Sequence, residues 1–209
     1  MTQDQIIESV LAFIQADGAS EDAFNGLALD LLAHQFENNT PFRRFSMRRE
    51  RTPRTTRTWR DIPAVPINAF KDLRLSCCAP YETVRTFMTS GTTMAALRGK
   101  SHHPTLAVYD ASMTTNFKHR FIPDRDTISM GILFPTEDVM PNSSLAHYLA
   151  LALRHFGAPN SRYMWHQDGI DFASLFTELE RAETTGEPCA LLGASFSFVH
   201  LMDEMRRLG

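Results

Sequence analysis

Apolar residues recur at helical spacing in the first part of the chain. They form two stripes, Ile6, Ile7, Val10, Leu11, Phe13 and Ile14, then Phe24, Leu27, Leu31, Leu32 and Phe36. This spacing predicts two helices, separated near residues 17–18 and ended by the polar, proline-containing run at 38–41. We expect the two helices to form a cap packed on the rest of the chain, within an N-terminal region that spans residues 1–60.

Arginine dominates the end of that region. Eight arginines lie between Phe42 and Arg60, and Glu50 is the acidic residue among them. Nucleic-acid-binding segments can look like this, but no recognised binding motif accompanies the run and the formal net charge of the chain is −3. We therefore expect no nucleic-acid partner, and instead a solvated arm or a surface that docks an acidic partner or another part of the same protein.

Strand-like and helix-like segments alternate from residue 61 onward. Two prolines, Pro63 and Pro66, favour an extended connector at the start. The patterns then predict strands over 84–89, 127–134, 162–165 and 189–193, and helices over 104–119, 142–156, 171–182 and 196–207. Alternation of this kind predicts an α/β domain over residues 61–209, with a mostly parallel sheet and helices on both faces.

Two helix starts carry explicit local signals. Pro104 is expected in the first turn of its helix, where the missing N–H has no intrahelical partner to lose. Either Asn142 or Ser143 can cap the helix that ends near Gly157.

Hydroxyl side chains gather around a glycine directly after the first predicted strand, at Thr89, Ser90, Gly91, Thr92 and Thr93. Hydroxyls and backbone N–H groups around a glycine can hold anionic oxygens, as in a nucleotide triphosphate. Ordinary surface turns have the same composition, and the spacing is not that of a P-loop. Because ligands of parallel sheets bind beyond the carboxyl ends of the strands, the predicted position favours the phosphate interpretation.

Composition and residue spacing narrow the function classes. The hydrophobic fraction of 43% and charged fraction of 22% are typical of globular proteins, and no apolar run or signal peptide indicates a membrane partner. Three cysteines make no disulfide framework, no Cys/His spacing fits zinc, and His147 and His155 are too far apart to pair at a metal. A cytoplasmic setting is expected, with Cys189 as a buried, inert thiol.

Four segments of the chain, in order, resemble the acyl-protein synthetase family. They are the proline-rich run at 59–71, the hydroxyl loop at 89–93, Asn-Ser-Ser-Leu at 142–145 and Leu-Leu-Gly-Ala-Ser-Phe at 191–196. That family supplies the fatty-acid-activating component of bacterial bioluminescence reductase, and it belongs to the adenylate-forming superfamily with acyl-CoA ligases. The resemblance covers most of the chain from about Asn38 onward.

The resemblance implies an ATP-dependent acid–thiol ligase. With Mg²⁺, a carboxylic (fatty) acid would attack the α-phosphate of ATP to give acyl-AMP, and the acyl group would pass to the thiol of an acceptor protein or of coenzyme A. Thr89, Ser90, Gly91, Thr92 and Thr93 would hold the β and γ phosphates. Arg98, Lys100 and His102 would either close over the phosphates or remain solvated loop residues.

Two departures from the family pattern qualify this expectation. Met94 stands where the family loop usually continues with glycine. The later adenine, ribose and lysine motifs and the acyl-accepting cysteine are not found, so the chain is expected to be an N-terminal portion, with no catalytic residue assigned. The alternatives are a short, non-catalytic module that binds a nucleotide or a partner, and a fragment of a phenylacetate-type acyl-CoA ligase.

Overall fold

A computed structural model describes residues 1–16, 18–89, 98–166 and 169–208. It shows a mixed α/β chain that is mostly helical, with N-terminal helices and a small parallel sheet of three strands. The chain divides into two compact units, Met1–Ser112 and Met113–Gly209, which are described separately below. The sequence-based division at residue 60 stays a prediction.

The N-terminal helices begin at polar caps. Helix α1 (Gln3–Gln15) starts with a capping box between Thr2 and Gln5, and α2 (Glu21–Asn38) starts at Ser20, whose side chain accepts a hydrogen bond from the Ala23 N–H. Both predicted helices are confirmed. These caps satisfy backbone donors that have no partner inside the helix.

The arginine-rich segment, expected as a solvated arm or a docking surface, begins as a third helix. Helix α3 (Thr40–Arg48) is capped by Asn39, whose Oδ1 accepts a hydrogen bond from the Phe42 N–H at 3.1 Å. Further along, Arg60 forms an ion pair with Glu21 of α2, and its guanidinium lies over the Trp59 ring. Part of this segment therefore contacts the same protein, which was one of the expected outcomes.

The connector leads into an antiparallel hairpin. A 3-10 turn (Trp59–Asp61), a short helix α4 (Ala69–Asp72) and a second 3-10 turn (Pro80–Glu82) precede strand β1 (Arg85–Met88). Strand β1 pairs antiparallel with β2 (Lys100–His103), which the sequence did not predict.

The prediction of a parallel sheet around the first strand is therefore wrong. Residues 89–99 are too few for the crossover of about a dozen or more residues that parallel pairing needs, whereas a short loop joins antiparallel strands easily. The rule about carboxyl ends of parallel strands does not apply to β1.

The helix after the hairpin starts later than predicted. Helix α5 (Ala107–Asn116) begins three residues beyond Pro104, so the proline is not in its first turn. The Thr105 hydroxyl accepts a hydrogen bond from the Ala107 N–H at 3.1 Å and satisfies a donor at the helix start. Residues 117–121 continue as a π-helical turn.

The second unit contains the parallel sheet. Strand β3 (Ser129–Leu133) is buried along its whole length and lies between β4 (Arg162–Tyr163) and β7 (Cys189–Gly193), both parallel to it. The predicted strand at 162–165 continues as β5 (Trp165–His166), which pairs with β6 (Gly169–Ile170) in a separate ribbon. The predicted parallel arrangement is confirmed for β3, β4 and β7, whereas Trp165, predicted as the end of the third strand, lies in the antiparallel β5–β6 ribbon.

Helices accompany the sheet in the predicted order. They are α6 (Ser144–Phe156), α7 (Phe172–Thr185) and α8 (Ser195–Leu208). Ser143 caps α6, with its Oγ accepting from the Ala146 N–H at 3.2 Å, which decides between the two predicted caps. A core cluster of Leu133, Met164, Leu175 and Leu201 is buried in this unit.

Candidate functional site

The end of the β1–β2 hairpin carries the described part of the predicted phosphate site. The Thr89 N–H donates to the Gly99 carbonyl, and the Gly99 N–H donates to Thr89 Oγ1, both at 3.0 Å. Oγ1 accepts this bond, so the hydrogen of the Thr89 hydroxyl, for which no acceptor is found among the described residues, can donate to a ligand. Thr89 is exposed and Gly99 is buried, so the hydroxyl both supports the hairpin and faces solvent.

Two of the predicted basic residues share one face of the hairpin. In the antiparallel register Thr86 lies opposite His102 and Met88 lies opposite Lys100, which places all four side chains on the same face. Lys100 is exposed and His102 is partly buried. Arg98 is also exposed, just beyond the end of β2, whereas Ser90, Gly91, Thr92 and Thr93 lie outside the described residues.

His102 is held by its neighbour across the hairpin and sits among positive charges. Its Nδ1 is 3.1 Å from Thr86 Oγ1, which orients the ring. The pKa of His102 is lowered, mainly because burial disfavours the charged imidazolium and then because Arg74, Lys100 and His103 add positive potential. With the Thr86 hydroxyl donating to Nδ1, the neutral ring presents an N–H at Nε2, which is a suitable donor to an anion.

A cavity of about 510 Å³ lies within the first unit and reaches His102. The three N-terminal helices and the connector supply most of its lining, which includes Ile6, Leu31, Phe42, Val65, Phe70 and Leu75. A volume of this size is in the range of about 300–1,000 Å³ that small-molecule sites occupy. Neither the cavity nor its contact with His102 was predicted, because its walls come from residues far apart in the sequence.

The adjacent cysteines line the same cavity but are poorly suited to nucleophilic chemistry. Burial raises the pKa of the Cys77 thiol to about 11, and the neighbouring Cys78 adds to the shift. Cys78 is buried, and its sulfur lies 3.1 Å from Ser76 Oγ. Because the thiolate is the nucleophile, Cys77 is inert at neutral pH.

A second group of polar side chains lies at the carboxyl edge of the parallel sheet. His147, in the first turn of α6, places its Nδ1 2.7 Å from Oε1 of Glu137, which follows β3. Burial and the Glu137 charge raise the pKa of Tyr163, the last residue of β4. Sequence reasoning considered His147 only as a metal ligand paired with His155, and it missed the carboxylate ten residues earlier.

Other polar groups in the second unit stabilise the fold. Glu178 Oε1 accepts hydrogen bonds from Ser129, Asn160 and Arg181, and these bonds hold the pKa of this buried carboxyl below its ordinary value, with Arg181 as the largest cause. Ser129 begins β3, so this network lies at the amino end of the sheet, opposite to the edge where ligands of parallel sheets bind. Across the four described ranges, side chains of His, Cys, Asp and Glu do not gather in a group of three that could hold a metal ion.

In the part of the chain that the structure describes, no helix combines the length and the apolar character that crossing a bilayer requires. The family model described as acyl-protein synthetase, LuxE, matches residues 2–206 and so spans both units. No curated protein and no solved structure matches the chain.

Proposed function

The chain belongs to the acyl-protein synthetase, LuxE family, and we propose that it forms the N-terminal, phosphate-holding part of an enzyme that activates a carboxylic acid with ATP. In this proposal the two units are the first part of an adenylate-forming domain. The observation that carries it is the hairpin, where Lys100 and His102 share one face and Thr89, directly after β1, is hydrogen-bonded to Gly99, directly before Lys100.

The proposed chemistry has two balanced steps. A carboxylate oxygen attacks the α-phosphorus of ATP, the bond to the bridging oxygen breaks, and acyl-AMP and pyrophosphate form. A thiol then attacks the acyl carbonyl, loses its proton, and displaces AMP to give a thioester. In the leading proposal the thiol that accepts the acyl group is a cysteine of an acceptor protein, and in the alternative it is the thiol of coenzyme A.

The described residues suit the first step. Negative charge builds up on the leaving pyrophosphate, and fixed donors and cations aimed at that charge lower the barrier. Lys100 supplies a positive charge, Thr89 an O–H donor, and His102 an N–H donor on the same hairpin. Ser90, Gly91, Thr92, Thr93 and Arg98 complete the proposed phosphate site, and Mg²⁺ would enter with the nucleotide, without an assigned protein ligand.

The Cys77 and Cys78 thiols are not proposed as the acyl acceptor. The pKa of Cys77 is raised to about 11, so this thiol provides little thiolate at neutral pH, and Cys78 is buried away from an incoming acyl group. Cys189, expected to be buried, is only partly buried at the start of β7, and it carries no family motif for an acceptor. The acceptor thiol in this proposal therefore belongs to an acceptor protein or to coenzyme A.

The test is ATP–pyrophosphate exchange by the complete protein that carries this chain, with a panel of carboxylic acids. We expect exchange that depends on the acid and falls roughly ten- to a hundredfold in Lys100→Gln, because a charged hydrogen bond to phosphate is lost. Arg54→Gln removes one exposed positive charge elsewhere and is the matched control. Absence of exchange with every acid, with ATP still bound, would favour the alternative of a non-catalytic nucleotide-binding module.

A further inference from the structure

Apolar side chains supply most of the lining of the cavity in the first unit, and the polar residues of the lining are Gln3, His34, Gln35, Asn39, Ser76 and His102. None of its described lining residues is Asp, Glu, Lys or Arg. Several polar lining groups are already engaged. Asn39 caps α3, Ser76 bonds to Cys78, and His34 Nδ1 lies 3.4 Å from the Asn38 amide. A ligand inside it would therefore meet mainly hydrocarbon walls.

One place in the lining differs from the rest. His102 keeps Thr86 as the hydrogen-bond partner of its ring, and Nε2 has no such partner among the described residues. Arg74 and Lys100 lie close enough to make the potential at His102 positive. His102 therefore marks an end of the cavity where nearby positive charge favours an anionic group.

We propose that this cavity binds the hydrocarbon chain of a linear carboxylic acid, with the carboxylate at His102 and the N-terminal helices setting the length of chain that fits. This inference rests on the proposed function for the identity of the ligand. It assigns the N-terminal helices a part in substrate selection, because Ile6 of α1, Leu31 of α2 and Phe42 of α3 all line the cavity.

The position of the carboxylate also fits the proposed reaction. His102 and Lys100 are two residues apart on β2, which separates them by about 7 Å along the strand. A carboxylate at His102 thus lies beside the hairpin end where the phosphates would be held.

The experiment measures binding of octanoic, decanoic, dodecanoic and tetradecanoic acids by titration calorimetry, without nucleotide. Each added pair of methylenes should tighten binding by about tenfold or more until the cavity is filled, after which affinity levels off. Ile6→Trp should move that levelling-off to a shorter acid, because the larger side chain occupies the cavity. Glu8→Trp, an exposed substitution on the same helix, should leave the series unchanged.

Two further variants test the hydrocarbon end and the carboxylate end of the proposed site independently. Leu31→Ala should enlarge the cavity and move the levelling-off to a longer acid, opposite to Ile6→Trp. His102→Gln should weaken the acids roughly tenfold or more and leave the matching alcohols unchanged, since only the acids carry the charge. Circular dichroism melts establish that each variant is folded before its binding is measured.

The results distinguish this inference from the proposed function. Chain-length-dependent binding that shifts in opposite directions in Ile6→Trp and Leu31→Ala supports the cavity, whether or not exchange occurs. Exchange activity whose chain-length profile is the same in both variants would overturn the cavity assignment and leave the proposed function intact. Acid binding that is insensitive to chain length, or equal for acids and alcohols, would also overturn it.

Discussion

Thr89→Val is the most informative single substitution, because the Thr89 hydroxyl has one structural and one proposed functional partner. The structural partner is the N–H of the buried Gly99, at 3.0 Å from Oγ1. Valine keeps the shape of the side chain and removes only the hydroxyl. The Gly99 N–H then loses its acceptor in a place where water does not replace it readily.

The expected loss of stability follows from that geometry. Leaving a buried donor unsatisfied costs about 1–3 kcal/mol of unfolding free energy. Thr89→Ser keeps the hydroxyl and removes one methyl group from an exposed side chain, so its cost should stay below about 0.8 kcal/mol. Urea unfolding followed by circular dichroism measures both values.

The proposed functional partner predicts a second effect. If the hydroxyl donates to a phosphate oxygen, its removal should lower exchange kcat/KM for ATP roughly ten- to a hundredfold, and serine should restore it. Exchange is measured at a temperature below the unfolding transition of each variant, so that a loss of folded protein does not contribute to the change in kcat/KM. A Thr89→Ser enzyme as impaired as Thr89→Val would refute the reasoning, and a Thr89→Val enzyme with normal exchange would restrict the hydroxyl to the hairpin.

Three further predictions concern caps and thiols. Ser143→Ala should lower the unfolding free energy by about 1 kcal/mol and Asn142→Ala by much less, because Ser143 makes the cap bond to α6; equal losses in urea unfolding would contradict this. Cys77, whose pKa is about 11 instead of near 9.0, should react with iodoacetamide at pH 8 about a hundredfold more slowly than in urea-unfolded protein, as peptide mass spectrometry can measure. The pKa of Asp171 is lowered to about 2, chiefly by the Ser174 hydroxyl and N–H, so its contribution to stability is full above pH 4 and lost as pH falls toward 2. The Tm difference between the protein and Asp171→Asn should therefore shrink over that range, and a difference independent of pH would count against the assignment.

Local signals in the sequence were enough to find the longer helices, although they did not find α3 or α4. The end of α2 at Asn38, the Ser143 cap and the five-residue strand β7 all depend on residues within a few positions of each other. Caps and periodicity act at that range, so sequence patterns report them directly.

Partners that are distant in sequence were not predictable in the same way. Strand β2 reads Lys-Ser-His-His, without the apolar alternation that marks a half-buried strand, and its pairing with β1 is fixed by tertiary contacts. The cavity likewise joins Ile6 to His102, and no periodicity connects two such positions. The His147–Glu137 pair depends on the path of the chain between β3 and α6.

The support for a phosphate site at the hairpin now has a different physical basis. The sequence pattern predicted the hydroxyl loop at the carboxyl end of a parallel strand, which is where ligands of parallel sheets bind. Because β1 pairs antiparallel with β2, this argument for a phosphate site no longer applies. The same pairing supplies another, because it brings Lys100 and His102 onto one face and fixes Thr89 against Gly99. A positive face beside an exposed hydroxyl favours an anion through charge and hydrogen bonding, whichever sheet the strand belongs to. The proposed site therefore depends on the hairpin register. In Gly99→Ala the added Cβ would lie 3.3 Å from Thr89 Cγ2. This substitution should weaken ATP binding even though it removes no ligand-binding group.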